Sequence, residues 1–205
     1  MLPSLPESAL RLRQHLTQFA PLSDEDWSLL VPHLRLVPLA RYAVFTEQGR
    51  VAADVAFVLD GVFRQYYTKD GEERTSYFFF EDQLIGGYFS SLTGRPSLVT
   101  IEALSAGCCL TFPYAVLVDL FDQRMAWQEF GRRFAEYLAV GLEERMVSLL
   151  QLSPAERYQA LLASGDPRIL ARVPQHYIAN FLGVTPVSLS RIRNRTLRGS
   201  MTAIS

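Results

Sequence analysis

The chain has 205 residues, of which 49% are hydrophobic and 20% charged, and its net charge is −1. This composition excludes a disordered or collagen-like chain and suffices for one large or two small hydrophobic cores. The only cysteines, Cys108 and Cys109, are adjacent, which excludes a disulfide framework and an iron–sulfur cluster. Charged residues interrupt every apolar run, so we expect no membrane span, no signal peptide and a soluble cytoplasmic protein.

Residues 7–34 are predicted to form two short helices, the second with Ser23 as its N-cap. Over residues 36–112 the pattern changes to short apolar runs separated by glycines and by turns such as Asp60-Gly61. Asp-Gly pairs supply the positive φ angles of tight hairpins. The fold class is therefore predicted to be α+β, with an antiparallel, jelly-roll-like β-roll of about eight strands. Its clearest strands are residues 55–59, 62–68, 75–80 and 99–104.

A brief helix is predicted over residues 114–122 and a long helix over about 125–152. The long helix carries apolar side chains on more than one face: Trp127, Phe130, Phe134, Tyr137, Leu138, Leu142, Met146, Leu149, Leu150 and Leu152. So broad an apolar surface indicates two packing partners. We expect a dimerisation helix that packs on its own β-roll and on its copy in a second subunit. The alternative is an internal core helix without a partner.

Ser153, Pro154 and Glu156 provide an N-cap, a first-turn proline and a capping-box acid for a new helix. The charge balance changes sign at the same point. Residues 1–152 carry 13 Lys+Arg against 19 Asp+Glu, whereas residues 153–205 carry 7 against 2. All seven cations of the second segment are arginine, which suits forked contacts with phosphate and base edges. We therefore predict two domains, 1–152 and 153–205.

Residues 174–195, PQHYIANFLGVTPVSLSRIRNR, predict two helices separated by a tight turn at Gly183. Small Ala179 allows the two helices to approach each other closely. The second helix presents hydroxyl, amide and guanidinium groups, which can read a major groove. The alternative is an ordinary helical hairpin with solvated arginines. The predicted DNA-binding residues are Thr185, Val187, Ser188, Ser190, Arg191, Asn194 and Arg195.

Taken in order, these features resemble the Crp/Fnr superfamily of bacterial transcription regulators. The segments SPAERYQALL and VPQHYIANFLGVTPVSLSRIR carry the most specific likeness, and VAFVLDGVFRQYYTKDGEERT resembles the family's paired strands. The family's second helix often reads T-P-E-S-L-S-R, from which this chain departs at Val187. A valine there favours contact with a thymine methyl group over the cytosine contact of a glutamate. The resemblance implies a cytoplasmic homodimer that binds an inverted repeat in double-stranded DNA, with RNA polymerase and an unidentified small-molecule effector as further candidate partners.

Family members that bind cyclic AMP use a Gly-Glu step for the ribose and a later Arg-Ser/Thr pair for the cyclic phosphate. Here Gly87 stands at the glutamate position and Ser97 at the arginine position. Losing a charge-assisted fork removes the main source of phosphate affinity, although Arg95 could replace the arginine if the loop shifted. We expect no control by cyclic AMP. The candidate pocket for a different, less polar effector comprises Gly86, Gly87, Tyr88, Phe89, Arg95 and Ser97.

An enzyme is the alternative from another class. A cupin-like metal site needs several histidines, and residues 36–112 contain none. The three histidines, His15, His33 and His176, lie on the N-terminal helices and in the DNA-binding segment, where haem ligation is not favoured. We expect no catalysis and no cofactor. A buried structural role for at least one of the two cysteines, redox sensing, and a regulator that acts by protein contact without DNA remain open.

Overall fold

The computed structural model describes the backbone of residues 3–202, and the side chains of that range apart from residue 164 and residues 197–202. Its helices are α1 (Leu5–Leu16), α2 (Asp24–Leu30), α3 (Tyr88–Thr93), α4 (Tyr114–Gln123), α5 (Met125–Gln151), α6 (Pro154–Ser164), α7 (Pro167–Arg172), α8 (Gln175–Phe181) and α9 (Pro186–Thr202). A 3-10 turn, Val31–His33, follows α2. Its strands are β1 (Arg35–Leu39), β2 (Val44–Thr46), β3 (Asp54–Asp60), β4 (Phe63–Lys69), β5 (Glu72–Phe79), β6 (Leu84–Gly86), β7 (Thr100–Ala103) and β8 (Gly107–Pro113).

The strands form two four-stranded antiparallel sheets in the orders β1-β8-β3-β6 and β2-β7-β4-β5. Positive φ at Asp70 and Gly71 closes the β4–β5 hairpin, as the sequence pattern indicated. The predicted fold class, an α+β chain with a jelly-roll-like β-roll, a long helix and a C-terminal helical region, is confirmed.

Local capping signals begin the helices where the sequence places them. Ser23 and Asp26 form a reciprocal capping box at α2, and Ser153 and Glu156 form another at α6. Each box satisfies two backbone N–H groups that the first helical turn would otherwise leave without acceptors. The junction at Ser153 is thus a sharp break between α5 and the C-terminal helices.

One core lies inside the β-roll and a second lies under the N-terminal helices. The interior core consists of Ala56, Val58, Phe63, Ile85, Val99, Ile101, Ala103 and Cys109. The second core joins the outer face of β3 and β8 to α1, α2, α4 and the first turns of α5; its largest members are Leu12, Leu16, Leu30, Phe57, Leu110, Phe112, Trp127 and Phe130. The sheet of β3 and β8 is therefore covered on both faces.

A third core joins the outer face of the other sheet to the C-terminal helices. Along β5, Phe79 packs toward the interior, whereas Phe78 and the following Phe80 point outward because side chains alternate along a strand. These phenylalanines, with Val62 and Leu104, pack against Tyr158, Leu161, Ile169, Val173, Ile178, Ala179, Leu182 and Leu189. The C-terminal helices are thus docked on the β-roll through a continuous apolar contact.

Helix α5 divides into a buried and an exposed half. Trp127 and Phe130 are buried in the N-terminal core, as the predicted packing on its own domain requires. Beyond that point, large apolar side chains are exposed: Tyr137, Val140, Leu142, Met146, Val147, Leu149 and Leu150. No helix within residues 3–202 is long and apolar enough to cross a membrane.

Trp127 anchors α5 to the N-terminal core, because its side chain is fully buried and its Nε1 donates a hydrogen bond to the Asp26 carbonyl over 3.2 Å. We predict that Trp127→Ala lowers the free energy of unfolding by about 3–5 kcal/mol, through lost burial and the remaining cavity. Urea titration measures this. The exposed neighbour supplies the control, since Gln128→Ala should change the free energy by less than about 0.5 kcal/mol. Equal effects of the two substitutions would contradict the prediction.

Candidate nucleic-acid interface

Helices α8 and α9 form the predicted helix-turn-helix. Gly183 adopts φ +71° between them, and the Val184 N–H donates to the Ala179 carbonyl over 2.9 Å. Ala179 is fully buried at this close approach. Pro174 is the residue before α8, and its ψ of 139° is extended.

Thr185 begins α9 by capping it. Its Oγ1 accepts a hydrogen bond from the Ser188 N–H over 3.2 Å and donates to the Ser188 Oγ over 3.1 Å. The Ser188 side chain, one of the predicted DNA-binding residues, is half-buried and engaged in these bonds within the first turn. α9 then continues to Thr202, and residues 203–205 lie outside the described range.

The outward surface of α9, called the α9 face below, consists of Val187, Ser190, Arg191, Asn194 and Arg195, all exposed. On the opposite side of the helix Leu189 is 1% exposed and Ile192 packs against the same core. Arg193 lies at the margin, where its Nη1 donates to the Gln175 Oε1 over 2.8 Å. The helix thus presents two guanidinium groups, an amide, a hydroxyl and a β-branched methyl surface to solvent.

Other arginines of this region are used inside the molecule. Arg172 forms a forked pair with Glu81 at 2.6 and 2.7 Å, and Arg168 pairs with Asp166 at 2.6 Å. The positive surplus of residues 153–205 is therefore partly neutralised by the β-roll. Arg191 and Arg195 of α9 lie apart from these pairs and are exposed.

Two further arginines hold the carboxyl end of α8. The Arg145 guanidinium lies 3.9 Å from the Phe181 ring centroid and donates to the Phe181 carbonyl over 2.7 Å. Arg157 donates to the Leu182 carbonyl and, over 2.6 Å, to the Leu152 carbonyl at the end of α5. Burial lowers the pKa of Arg145 to about 10, with the neighbouring cation of Arg157 adding to the effect. Cations at this position stabilise the helix end and its free carbonyls.

Sequence reasoning missed the docking of α8 on the edge strand β5. The Asn180 side chain accepts from the Thr75 N–H over 2.6 Å and donates to the Glu73 carbonyl over 2.8 Å. Next to it, the Phe181 ring packs on Phe78 with centroids 5.4 Å apart. The outward phenylalanines in the run YFFF were the available signal that something covers this face.

A buried arginine of β4 lies under the same contact. Arg64 is 2% exposed, and its guanidinium is stacked between the rings of Tyr66 and Tyr177, at 4.0 and 4.1 Å from their centroids. The same group pairs with Glu73 and, over 3.0 Å, with Glu102. Burial raises the pKa of Glu102, and Arg64 opposes that rise. Tyr177 of α8 thus covers a charge that the β-roll would otherwise leave open to water.

The six candidate effector-pocket residues lie around α3. Gly86 ends β6, Gly87 precedes the helix, and Tyr88 and Phe89 are its first residues. A Cβ on Gly87 would lie 2.7 Å from the Ala52 Cβ and 3.1 Å from the Thr46 Cγ2, so a larger side chain requires these neighbours to move.

Ser97 and Arg95 occupy different environments in this loop. Ser97 is buried, and its hydroxyl bonds the Val99 carbonyl and N–H. Arg95 is exposed and lies beside the Phe89 ring at 5.4 Å. The Arg95 guanidinium thus lies at the surface of this loop, whereas the Ser97 hydroxyl is enclosed in it.

The titratable side chains that the sequence raised as sensors are packed among apolar groups. Cys108 faces the N-terminal core and Cys109 the interior core; both are free thiols, and burial raises the pKa of Cys109 to about 12. His15 packs against Phe19 and Phe57, and burial lowers its pKa. Among residues 3–202, no group of three or more His, Cys, Asp or Glu side chains is arranged to hold a metal ion.

Comparison with known proteins agrees with this architecture. Residues 36–124 match the family of cyclic nucleotide-binding domains. FixK2 from Bradyrhizobium japonicum is similar in structure, with a TM-score of 0.69 and 18% identity over 82% of this chain and 86% of that one. The catabolite activator protein of Thermus thermophilus has a TM-score of 0.55 and 20% identity, over 91% of this chain and 88% of that one. The c-di-GMP-responsive global regulator CLP of Xanthomonas campestris has a TM-score of 0.62 and 15% identity, over 87% of this chain and 93% of that one.

These likenesses are below 25% identity and establish the fold. Residues 36–124 therefore resemble a cyclic nucleotide-binding domain and the chain has the fold of these proteins, which confirms at the level of the fold the resemblance that its motifs indicated. No curated protein matches the sequence.

The ion pair of Glu81 and Arg172 makes the stability of the folded chain pH-dependent. Hydrogen bonds from Arg172 lower the pKa of Glu81 to about 2. Because the folded pKa lies below the unfolded value, the stabilisation is complete above about pH 4.5 and disappears as the pH falls toward 2. We predict that Glu81→Gln lowers the free energy of unfolding by about 1–3 kcal/mol at pH 7, and by progressively less between pH 4.5 and pH 3.

Urea titration of both proteins at each pH measures this difference. Glu47→Gln is the matched control, since Glu47 and its partner Arg50 are both largely exposed and their pair should contribute less than about 0.5 kcal/mol. A difference between wild type and Glu81→Gln that stays constant down to pH 3 would contradict the assignment.

Proposed function

We propose that the chain is a DNA-binding transcription regulator of the Crp/Fnr type, and that the α9 face enters the major groove. The observation that carries the proposal is the division of α9 into a buried side with Leu189 and an exposed side with Arg191 and Arg195. Arginine reads guanine and holds phosphate, while Val187 offers a contact for a thymine methyl group. Thr185 caps α9 through its bonds to Ser188, and in this proposal the first turn of α9 lies next to the phosphate backbone of the DNA.

The regulator acts as a homodimer through α5 in this proposal. The second half of α5 exposes an apolar surface, on which Leu142 is 67% and Leu150 78% exposed. Apolar side chains so concentrated on one helix are typical of an interface between subunits. Two copies related by a twofold axis would present two α9 faces to the half-sites of an inverted repeat. The division into an effector domain, 1–152, and a DNA-binding domain, 153–205, belongs to the same proposal.

Cyclic AMP is not the effector in this proposal. The structure supports this in two ways: Gly87 has no space for the glutamate that holds the ribose, and Ser97 is committed to the backbone of Val99. An effector of different chemistry would enter near Tyr88 and Phe89, where Tyr88 is 39% exposed. We assign no catalytic role to the β-roll, since its strands supply no histidine to act as a base or a metal ligand.

Selection of bound fragments from random duplex DNA by the full chain tests the function and yields the site together. An inverted repeat should be enriched, and its affinity should fall steeply with added salt because arginines displace counterions from phosphate. Enrichment of no duplex, or affinity that is flat between low and moderate salt, would favour a regulator that acts by protein contact.

Arg191 is the residue whose loss should damage recognition most directly. We predict that Arg191→Ala weakens binding to the selected duplex by about 1–3 kcal/mol and relaxes the sequence preference at one position of each half-site. Fluorescence anisotropy with the selected and mutated duplexes measures both effects. Arg50→Ala, which removes an exposed arginine of the β-roll, should leave affinity and specificity unchanged. Sedimentation should show the same oligomeric state for both variants.

Thermal unfolding tests the effector assignment. A site with a dissociation constant of about 10 μM would gain about 2.7 kcal/mol at about 1 mM ligand and raise the melting temperature by several degrees. We predict no such rise with cyclic AMP, and AMP at the same concentration controls for general nucleotide effects. A rise of several degrees specific to cyclic AMP would overturn this part of the proposal.

A further inference from the structure

The side chain of Asn180 bonds the backbone of β5 in the way that a neighbouring strand would, through one donor and one acceptor. β5 is the last strand of its sheet, so one edge of its backbone has no neighbouring strand within residues 3–202. The Thr75 N–H and the Glu73 carbonyl point to that edge, because residues two apart on a strand direct their polar groups to the same side. The Asn180 amide bonds both groups, with its oxygen on Thr75 and its nitrogen on Glu73.

The primary amide of Asn180 supplies both halves of the contact from two different atoms, an acceptor oxygen and a donor nitrogen. An aspartate offers acceptors alone, and an alanine offers neither group. The two hydrogen bonds also restrict rotation of α8 about its own axis, because they join two atoms of one side chain to two fixed points of the strand. Tyr177, one turn before Asn180, and Phe181, the residue after it, hold the same face of α8 against Arg64 and Phe78.

The opposite side of α8 is joined rigidly to α9. Ile178 and Leu182 are buried in one core with Leu189 of α9, and the turn between the helices is closed by the Ala179–Val184 hydrogen bond. An orientation imposed on α8 by β5 is therefore passed to the α9 face without a flexible segment between them.

We infer that Asn180 is a positioning residue: by pairing with the edge of β5, it sets the orientation of the α9 face relative to the β-roll and thereby the half-site spacing that a dimer accepts. The inference rests on the proposed function and goes beyond it, since it names the contact that determines spacing. Asn180 lies away from the α9 face and does not touch DNA in this scheme. Its removal should change which spacings are bound and leave the reading of each half-site intact.

The test uses the selected duplex and versions with one or two base pairs added or removed between the half-sites. Each base pair rotates one half-site by about 34° relative to the other, since a turn takes about 10.5 base pairs. For wild type, a change of two base pairs should cost at least about tenfold in affinity, whereas Asn180→Ala should lose less than about threefold. Binding to a duplex with a single half-site should stay within about twofold of wild type.

Two further variants make the result specific. Asn180→Asp keeps an acceptor for Thr75 but loses the donor to Glu73, and should also broaden the spacing profile. His176→Ala alters an exposed residue of the same helix and should keep the narrow wild-type profile. If Asn180→Ala and Asn180→Asp both retain the narrow profile, the positioning role is overturned, even though the duplex is bound.

Hydrogen exchange without DNA separates this inference from the proposed function. The amide of Thr75 should exchange at least about tenfold faster in Asn180→Ala than in wild type, because its acceptor has been removed. Unchanged exchange in the segment 72–79 would show that the Asn180 contact does not hold α8, and this conclusion would not depend on whether the protein binds DNA. Failure to enrich any duplex would instead overturn the proposed function and the positioning role with it.

Discussion

The outward apolar face of β5 is the constraint on which the rest of the structure depends. Phe78 and Phe80 alternate with the interior Phe79, so a strand that completes the β-roll also presents two aromatic rings to its outside. Leaving these rings in water would forfeit roughly 1.5–3 kcal/mol for each side chain. The C-terminal helices cover them, and so the position of the α9 face follows from the burial of a sheet.

Apolar burial brings the C-terminal helices onto the β-roll, but it does not orient them, because the hydrophobic effect has no direction. Orientation comes from polar groups at the border of the contact. Asn180 pairs with the backbone of β5, Arg172 forks onto Glu81, and Arg64 lies between two tyrosine rings. Each would leave a costly unsatisfied group if the helices shifted by a few ångströms. The polar border therefore selects one arrangement among the many that would bury the phenylalanines.

Helix α5 connects these regions mechanically. Trp127 fixes its first turns in the N-terminal core, and its middle exposes Leu142 and neighbouring apolar side chains. Nearer its end, Arg145 donates a hydrogen bond to the carbonyl of Phe181, the last residue of α8. A second copy on the exposed half would bring the twofold axis close to the helices that hold α8 and α9. In the proposed dimer, the β-roll, the subunit interface and the DNA-facing helix are all tied to one rigid element.

The sequence alone determined the parts of this protein that depend on near neighbours in the chain. Capping boxes at Ser23 and Ser153, alternating strands around Asp-Gly turns, and the glycine turn before Thr185 are signals within a few residues, and they predicted the β-roll, the long helix and the helix-turn-helix. The exposed arginines of α9 followed from helical periodicity. The hydrogen bond between the Thr185 and Ser188 hydroxyls did not follow from that periodicity.

Only the tertiary structure decided where the remaining polar groups go. Arg145, Arg168 and Arg172 carried no predicted partner in the sequence, and the structure pairs them with carbonyls and a carboxylate of the same chain. The Asn180 contact joins residues 105 and 107 positions apart. Composition and periodicity carry no record of such pairs, because their partners are brought together only by the docking of the C-terminal helices on the β-roll. The physical reason is that local preferences are set by each residue's own neighbours, whereas docking is set by which surfaces the completed β-roll leaves uncovered.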